Sequence, residues 1–151
     1  MKAVRRSLET EDDVYNQALR FLTVRFLSRK ELYRKLKNRG ASIDHIESVI
    51  DRLEDIDYVN DERLAEDVAR LFVEEAKYGR RHIERKMRER GLEPPENLRA
   101  YDERSAAFRR AEARFGPPGE SDATRAKLAS FLQNRGFSSS TAYAVLEAYG
   151  V

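Results

Sequence analysis

Glu31-Leu-Tyr-Arg-Lys-Leu-Lys-Asn-Arg-Gly40, His82-Ile-Glu-Arg-Lys-Met-Arg-Glu-Arg-Gly91 and Lys127-Leu-Ala-Ser-Phe-Leu-Gln-Asn-Arg-Gly136 align without gaps, and their reading decides the fold. Their first residues, 31, 82 and 127, lie 51 and 45 positions apart, the signature of an internal repeat. Each has apolar residues at its second and sixth positions, Leu32 and Leu36, Ile83 and Met87, Leu128 and Leu132. That spacing puts both on one face of a helix. Arg39, Arg90 and Arg135 then suit the negative end of the helix dipole, and the glycine that follows closes the helix. On this reading Arg-Gly is a capping device and the Leu, Ile and Met pairs are core.

The flanks repeat as well. Ser28 with Glu31 forms a capping box for the first of these helices, and Gly79 and Asp122 are the expected starts of the other two. An amphipathic run precedes each segment: residues 11–26 with Val14, Ala18, Phe21 and Leu22; a run from Asp61 with Leu64, Val68, Leu71 and Phe72; and one from Asp102 with Phe108, Ala111 and Phe115. A third helix follows each glycine. Ser42 caps a run with Ile46, Val49, Ile50 and Leu53, Pro94-Pro95 precedes Leu98 and Tyr101, and Ser138-Ser139-Ser140 precedes Tyr143, Val145 and Leu146. The period from Leu98 to Phe115 continues without glycine or proline, so the middle unit's third helix is expected to run into the next helix. No stretch alternates as a strand.

The fold class that follows is all-α, a tandem array of three three-helix repeats, elongated and curved if the units stack. The expected divisions are 1–13 as a tail or helix start, and 14–59, 60–101 and 102–151 as the repeats.

Composition narrows the function. The chain has 151 residues, 40% hydrophobic and 37% charged, with no Cys and two His, His45 and His82. Disulfides and thiolate sites are excluded, and a His-based metal site has too few ligands. No apolar run approaches the roughly 20 residues that span a bilayer, and Met1-Lys2-Ala3-Val4-Arg5-Arg6 lacks an apolar stretch behind its charges. A cytoplasmic, membrane-free protein is expected. No phosphate-binding loop, His-Glu-x-x-His pair or announced carboxylate pair is present, so no catalytic residue, cofactor or metal is assigned.

Net charge is only +2, yet charge is sorted by helix. Arg29 to Arg39 carries six basic residues against Glu31, and Lys77 to Arg90 carries seven against Glu84 and Glu89. Asp44 to Asp57 and Asp61 to Glu75 carry six acids each. Basic helices beside acidic ones can offer a broken positive stripe to an ordered anionic partner, although a cationic helix face is most often simply solvated. The candidate contacts are Arg80, Arg81, Arg85 and Arg88, then Lys30, Arg34 and Lys37, with Tyr78 as the one aromatic at a helix start. Tyr33, Phe72, Phe108 and Tyr143 fall at core spacing, and His82 reads as a surface residue.

Tyr58-Val-Asn-Asp-Glu-Arg-Leu-Ala-Glu66 followed by Tyr78-Gly-Arg-Arg-His-Ile-Glu-Arg-Lys-Met-Arg-Glu-Arg-Gly-Leu92 resembles the central signature of RecX regulatory proteins. Ala18-Leu-Arg-Phe-Leu22 with Ser28-Arg-Lys-Glu-Leu32 is similar to their first repeat, and Phe131-Leu-Gln-Asn-Arg-Gly-Phe137 to their third. Arg80 stands where many relatives have Pro, Ala41 where a larger apolar residue is usual, and the last helix lacks basic residues often seen there. The resemblance implies a monomeric, non-enzymatic modulator that lodges in the helical groove of the RecA-DNA filament. It would restrain ATP hydrolysis, strand exchange and filament growth in recombination, DNA repair and the SOS response. Two alternatives stay open from the residues themselves: a direct DNA-binding helical protein, and a helical adaptor for another protein.

Overall fold

The computed structural model describes residues 7–151. Among them are eight α-helices, one short 3₁₀ turn and no strand, an all-α helical-repeat fold. The helices divide between two compact bodies, and each is built as follows.

The first body reaches Leu64 and includes Arg90–Leu92. Its α1 spans Glu11–Val24 and starts on a capping box: Thr10 accepts from the Asp13 N–H while the Asp13 carboxylate accepts from the Thr10 N–H. It ends at Val24 because Arg25 is already extended, two residues short of the expected 26. Helix α2, Arg29–Asn38, carries the anticipated Ser28/Glu31 box, and Gly40 at φ +90° closes it. There the Gly40 N–H bonds Lys37 O and the Ala41 N–H bonds Leu36 O, a pairing that ends the helix and buries Ala41. Ser42 caps α3, Ile43–Asp55. Helix α3 packs on both α1 and α2 around the fully buried Val14, Ala18, Leu32, Leu36, Ile46, Val49, Ile50 and Leu53. Burying a leucine or isoleucine of this kind contributes roughly 1.5–3 kcal/mol, so these side chains carry the stability of the body.

Helix α4, Asp61–Glu75, begins in the first body and from Ala65 belongs to the second. The second body continues with α5, Arg80–Glu89, the 3₁₀ turn Glu96–Ala100, α6, Glu103–Phe115, α7, Arg125–Asn134, and α8, Ser139–Tyr149. Helix α8 packs on α6 and α7 over Ala106, Ala107, Ala111, Leu128, Leu132, Val145 and Leu146. The three alanines let α6 approach its neighbours closely.

Four expectations change here. The middle unit's third helix is only a five-residue 3₁₀ turn, and it does not run into α6. Pro94 and Pro95 supply no N–H ahead of the turn, Tyr101 is extended at ψ 123°, and Asp102 caps α6 by accepting from the Ser105 N–H, so the helical period breaks between the turn and α6. Thr124, rather than Asp122, opens α7 by accepting from the Lys127 N–H. Leu71 is 59% exposed instead of core, since Ala65, Val68 and Ala69 form the buried face of α4. Tyr143 is 65% exposed, because Ala142, Val145 and Leu146 fill that side of α8.

Candidate partner-binding surface

The cationic faces begin where the second helices are anchored, and the anchor repeats. In the first body the Ser28 hydroxyl donates to the Arg90 carbonyl and the Arg90 guanidinium donates to the Phe26 carbonyl at 3.1 Å. The Arg29 N–H, the first of α2, donates to Asp61 at 2.8 Å. In the second body the Gly79 N–H donates to the Arg135 carbonyl at 2.8 Å and the Arg135 guanidinium to the Lys77 carbonyl at 3.4 Å. The Arg80 N–H, the first of α5, donates to Glu103 at 3.0 Å. Phe26, Ser28 and Arg29 become Lys77, Gly79 and Arg80 on adding the same 51 residues that separate the repeated segments. An acid at the first turn of one helix thus satisfies an orphan N–H of another, and the Arg of Arg-Gly reaches across to a loop carbonyl. Capping is therefore only part of the work of Arg90 and Arg135.

Two half-buried carboxylates hold these anchors: Glu31, expected only as the capping-box partner of Ser28, and Glu103, expected only as part of the acidic start of its run. Burial opposes ionisation of Glu31, but the Arg90 hydrogen bonds, the Ser28 N–H and the charges of Arg90 and Arg25 outweigh it and hold its carboxyl below the usual range. Glu103 is likewise opposed by burial and held low by the Ser138 N–H, the Thr141 hydroxyl and the Arg80 N–H. The signal that could have found the role of Glu103 is the recurrence of Arg-Gly together with an acid opening the next unit, as Asp61 does for the first body.

His82 occupies the α5 position equivalent to Glu31. It is half-buried rather than an ordinary surface residue, stacked on Tyr78 with ring centroids 4.0 Å apart and packed against Gly136. Burial, then the charges of Arg85 and Lys86, push its pKa down, so it favours the neutral imidazole. Tyr78 itself is half-buried: Phe72 meets it edge-on at 6.4 Å, Arg135 lies over its ring, and its carbonyl accepts from the Tyr101 hydroxyl.

The remaining candidates are exposed. On α2, Lys30, Arg34 and Lys37 follow one another at i, i+4 and i+7 and have no ion-pair partner among the described residues. On α5, Arg81, Arg85 and Arg88 occupy the same three positions. Arg81 is unpaired among the described residues, Arg85 lies 3.2 Å from His82 Nδ1, and Arg88 shares Glu84 with Arg80 at 3.8 and 3.4 Å. Such exposed pairs are worth about 0–1 kcal/mol and exchange readily for a better anion. With Glu84 and Glu89, the three arginines line a shallow, open depression on α5. The corresponding face of α7 is Ala126, Ser130 and Gln133, with no charge at all. No group of three or more His, Asp or Glu that could hold a metal ion occurs among the described residues, and none of their helices is long and apolar enough to cross a membrane.

Helical units with a recurrent Arg-to-carbonyl contact and two cationic second helices, α2 and α5, define a helical-repeat protein of the all-α class. Residues 15–53 match the model of the RecX first three-helix domain, and residues 102–146 that of the RecX third three-helix domain. The regulatory protein RecX of Prosthecochloris aestuarii is 31% identical over 130 residues, covering 83% of this chain and 86% of its own. That of Ralstonia nicotianae is 35% identical over 127 residues, covering 81% and 79%. The crystal structure of RecX from Lactobacillus salivarius superposes with a TM-score of 0.70 at 22% identity, covering 93% of this chain and 96% of that one. The chain belongs to the RecX family of regulatory proteins.

Proposed function

We propose that the chain is a non-catalytic modulator of the RecA-DNA filament, gripping it through the exposed cations of α2 and α5 from within its helical groove. The observation that carries this reading is the repeated row: Lys30, Arg34 and Lys37 on α2 and Arg81, Arg85 and Arg88 on α5, 51 residues apart at identical helical spacing. Repeated weak contacts gain avidity where a partner's subunits repeat at matching spacing, which favours a filament over its free monomer. Units 14–59 and 60–101 would supply the grip, while 102–151, with its uncharged α7 face, would contribute less. Family membership supports a regulatory role, and occupancy of the groove would slow ATP hydrolysis and strand exchange without chemistry by the chain.

The same rows also support direct binding to DNA, whose affinity would fall steeply with salt as counterions are released. Retention of the protein on RecA filament, free RecA and bare DNA at moderate salt separates the two. Preferential retention on filament is expected, and equal retention on bare DNA would overturn the filament reading. Replacing Arg81, Arg85 and Arg88 together by Ala is expected to abolish inhibition of RecA ATP hydrolysis while leaving the helical melt in place.

A further inference from the structure

The middle unit is short of a helix. Where α3 supplies 13 residues and α8 supplies 11, the equivalent segment after α5 is the five-residue turn Glu96–Ala100. The space so left is a groove of about 540 Å³ between α4 and this turn. Its walls are Ala69 and Val73 of α4 with Leu98, Ala100 and Tyr101, and Glu66 and Arg70 stand at the rim. A helical turn about 5.4 Å long and 10 Å wide occupies roughly 400 Å³, so the groove is of the right size for the buried face of one or two turns.

Charge selects the occupant. Arg70 is taken up by Asp67 and Arg63 by Asp57. Glu62, Glu66, Glu74 and Glu75 of α4 have no ion-pair partner among the described residues. Of these only Glu66 lines the groove, beside Arg70 that Asp67 engages, but the acidic helix α4 along one side of an apolar floor repels a phosphate backbone and attracts a cationic helix. A second copy of the chain is poorly suited to fill it: the cationic helices α2 and α5 have their apolar residues Leu32, Leu36, Ile83 and Met87 fully buried, and offering them outward would require unfolding.

We propose that the groove between α4 and the 3₁₀ turn is a docking site for a basic amphipathic helix of a protein partner, which takes the place of the middle unit's missing third helix. The site is separate from the cationic rows of α2 and α5, and it stands whether or not the filament reading does.

The test uses the full chain and a fluorescent peptide of about 15 residues with Leu at i, i+3, i+4 and i+7 and Lys on its flanks. Two comparison peptides share its length, one scrambled in order and one with Glu for Lys. The designed peptide is expected to bind about tenfold or more tighter than either. Val73→Arg, which plugs the groove, should weaken binding about tenfold, and the exposed rim change Glu66→Lys should weaken it several-fold with an unaltered melt. Absence of binding, equal binding of the scrambled peptide, or undiminished binding by Glu66→Lys would overturn the proposal. Concentration-dependent self-association that Val73→Arg abolishes would also overturn it, by making a second copy the occupant.

Discussion

The backbone N–H of Gly79 meets the carbonyl of Arg135 at 2.8 Å, a contact possible only because position 79 has no side chain. A Cβ built there would lie 2.2 Å from the Gly136 carbonyl oxygen, which is backbone and has no room to yield. Arg135 and the Gly-Phe pair after it thereby seat the start of α5 against the end of α7.

Gly79→Ala is therefore expected to cost about 3 kcal/mol or more, the range of changes that break a packed contact. Gly119→Ala is the contrast, since φ is +91° there but nothing lies within 4 Å of the new Cβ. Its cost should be nearer 1 kcal/mol, the strain of the left-handed backbone alone. Denaturant melts of the two variants measure the difference, and equal midpoints would mean that steric closeness at Gly79 is not what matters.

The Glu31–Arg90 pair, 3.0 Å apart with side chains 14% and 24% exposed, should be coupled. Arg90→Ala removes three hydrogen bonds to Glu31 and one to the Phe26 carbonyl, and is expected to destabilise by about 2 kcal/mol. In a double-mutant cycle with Glu31→Gln the losses should be less than additive. Strict additivity would show that the two side chains do not act on each other.

Acid should loosen both bodies. Glu31 and Glu103 have folded-state pKa values below their ordinary ones, so the unfolded chain binds protons first as pH falls. Their contribution is fully present above about pH 4.3 and is lost as pH drops toward the folded values. His82, also held low, adds an earlier and smaller loss as pH falls below about 6.5, because its unfolded form protonates more easily. Urea midpoints measured from pH 7 to 3 should decline in these two windows. Glu103→Gln should flatten the lower one and Tyr78-stacked His82→Gln the upper; curves parallel to the parent would count against these assignments.

Leu71→Ser is expected to change stability by no more than about 0.5 kcal/mol, since the side chain is 59% exposed. Leu132→Ala, at a fully buried site, should cost about 2–5 kcal/mol. A large loss at Leu71 would place it in a contact absent from the fold described above.

The amino-acid order by itself determined the helices and their core faces, because spacing and capping are local. Leu32/Leu36, Ile83/Met87 and Leu128/Leu132 are all fully buried, and Ser28, Ser42 and Ser138 cap where their hydroxyls reach the third N–H. It also exposed the equivalence of Lys30, Arg34 and Lys37 with Arg81, Arg85 and Arg88, since a fixed interval needs no coordinates. Tertiary structure alone decided what Arg90, Arg135 and Glu103 reach across the chain, and that Glu31 binds Arg90 besides capping α2, because these partners lie 23 to 64 residues away. It also decided that the run from Leu98 to Phe115 breaks: a helical period is necessary for a helix, but Tyr101 is extended and the Asp102 carboxylate starts a new helix by accepting from the Ser105 N–H.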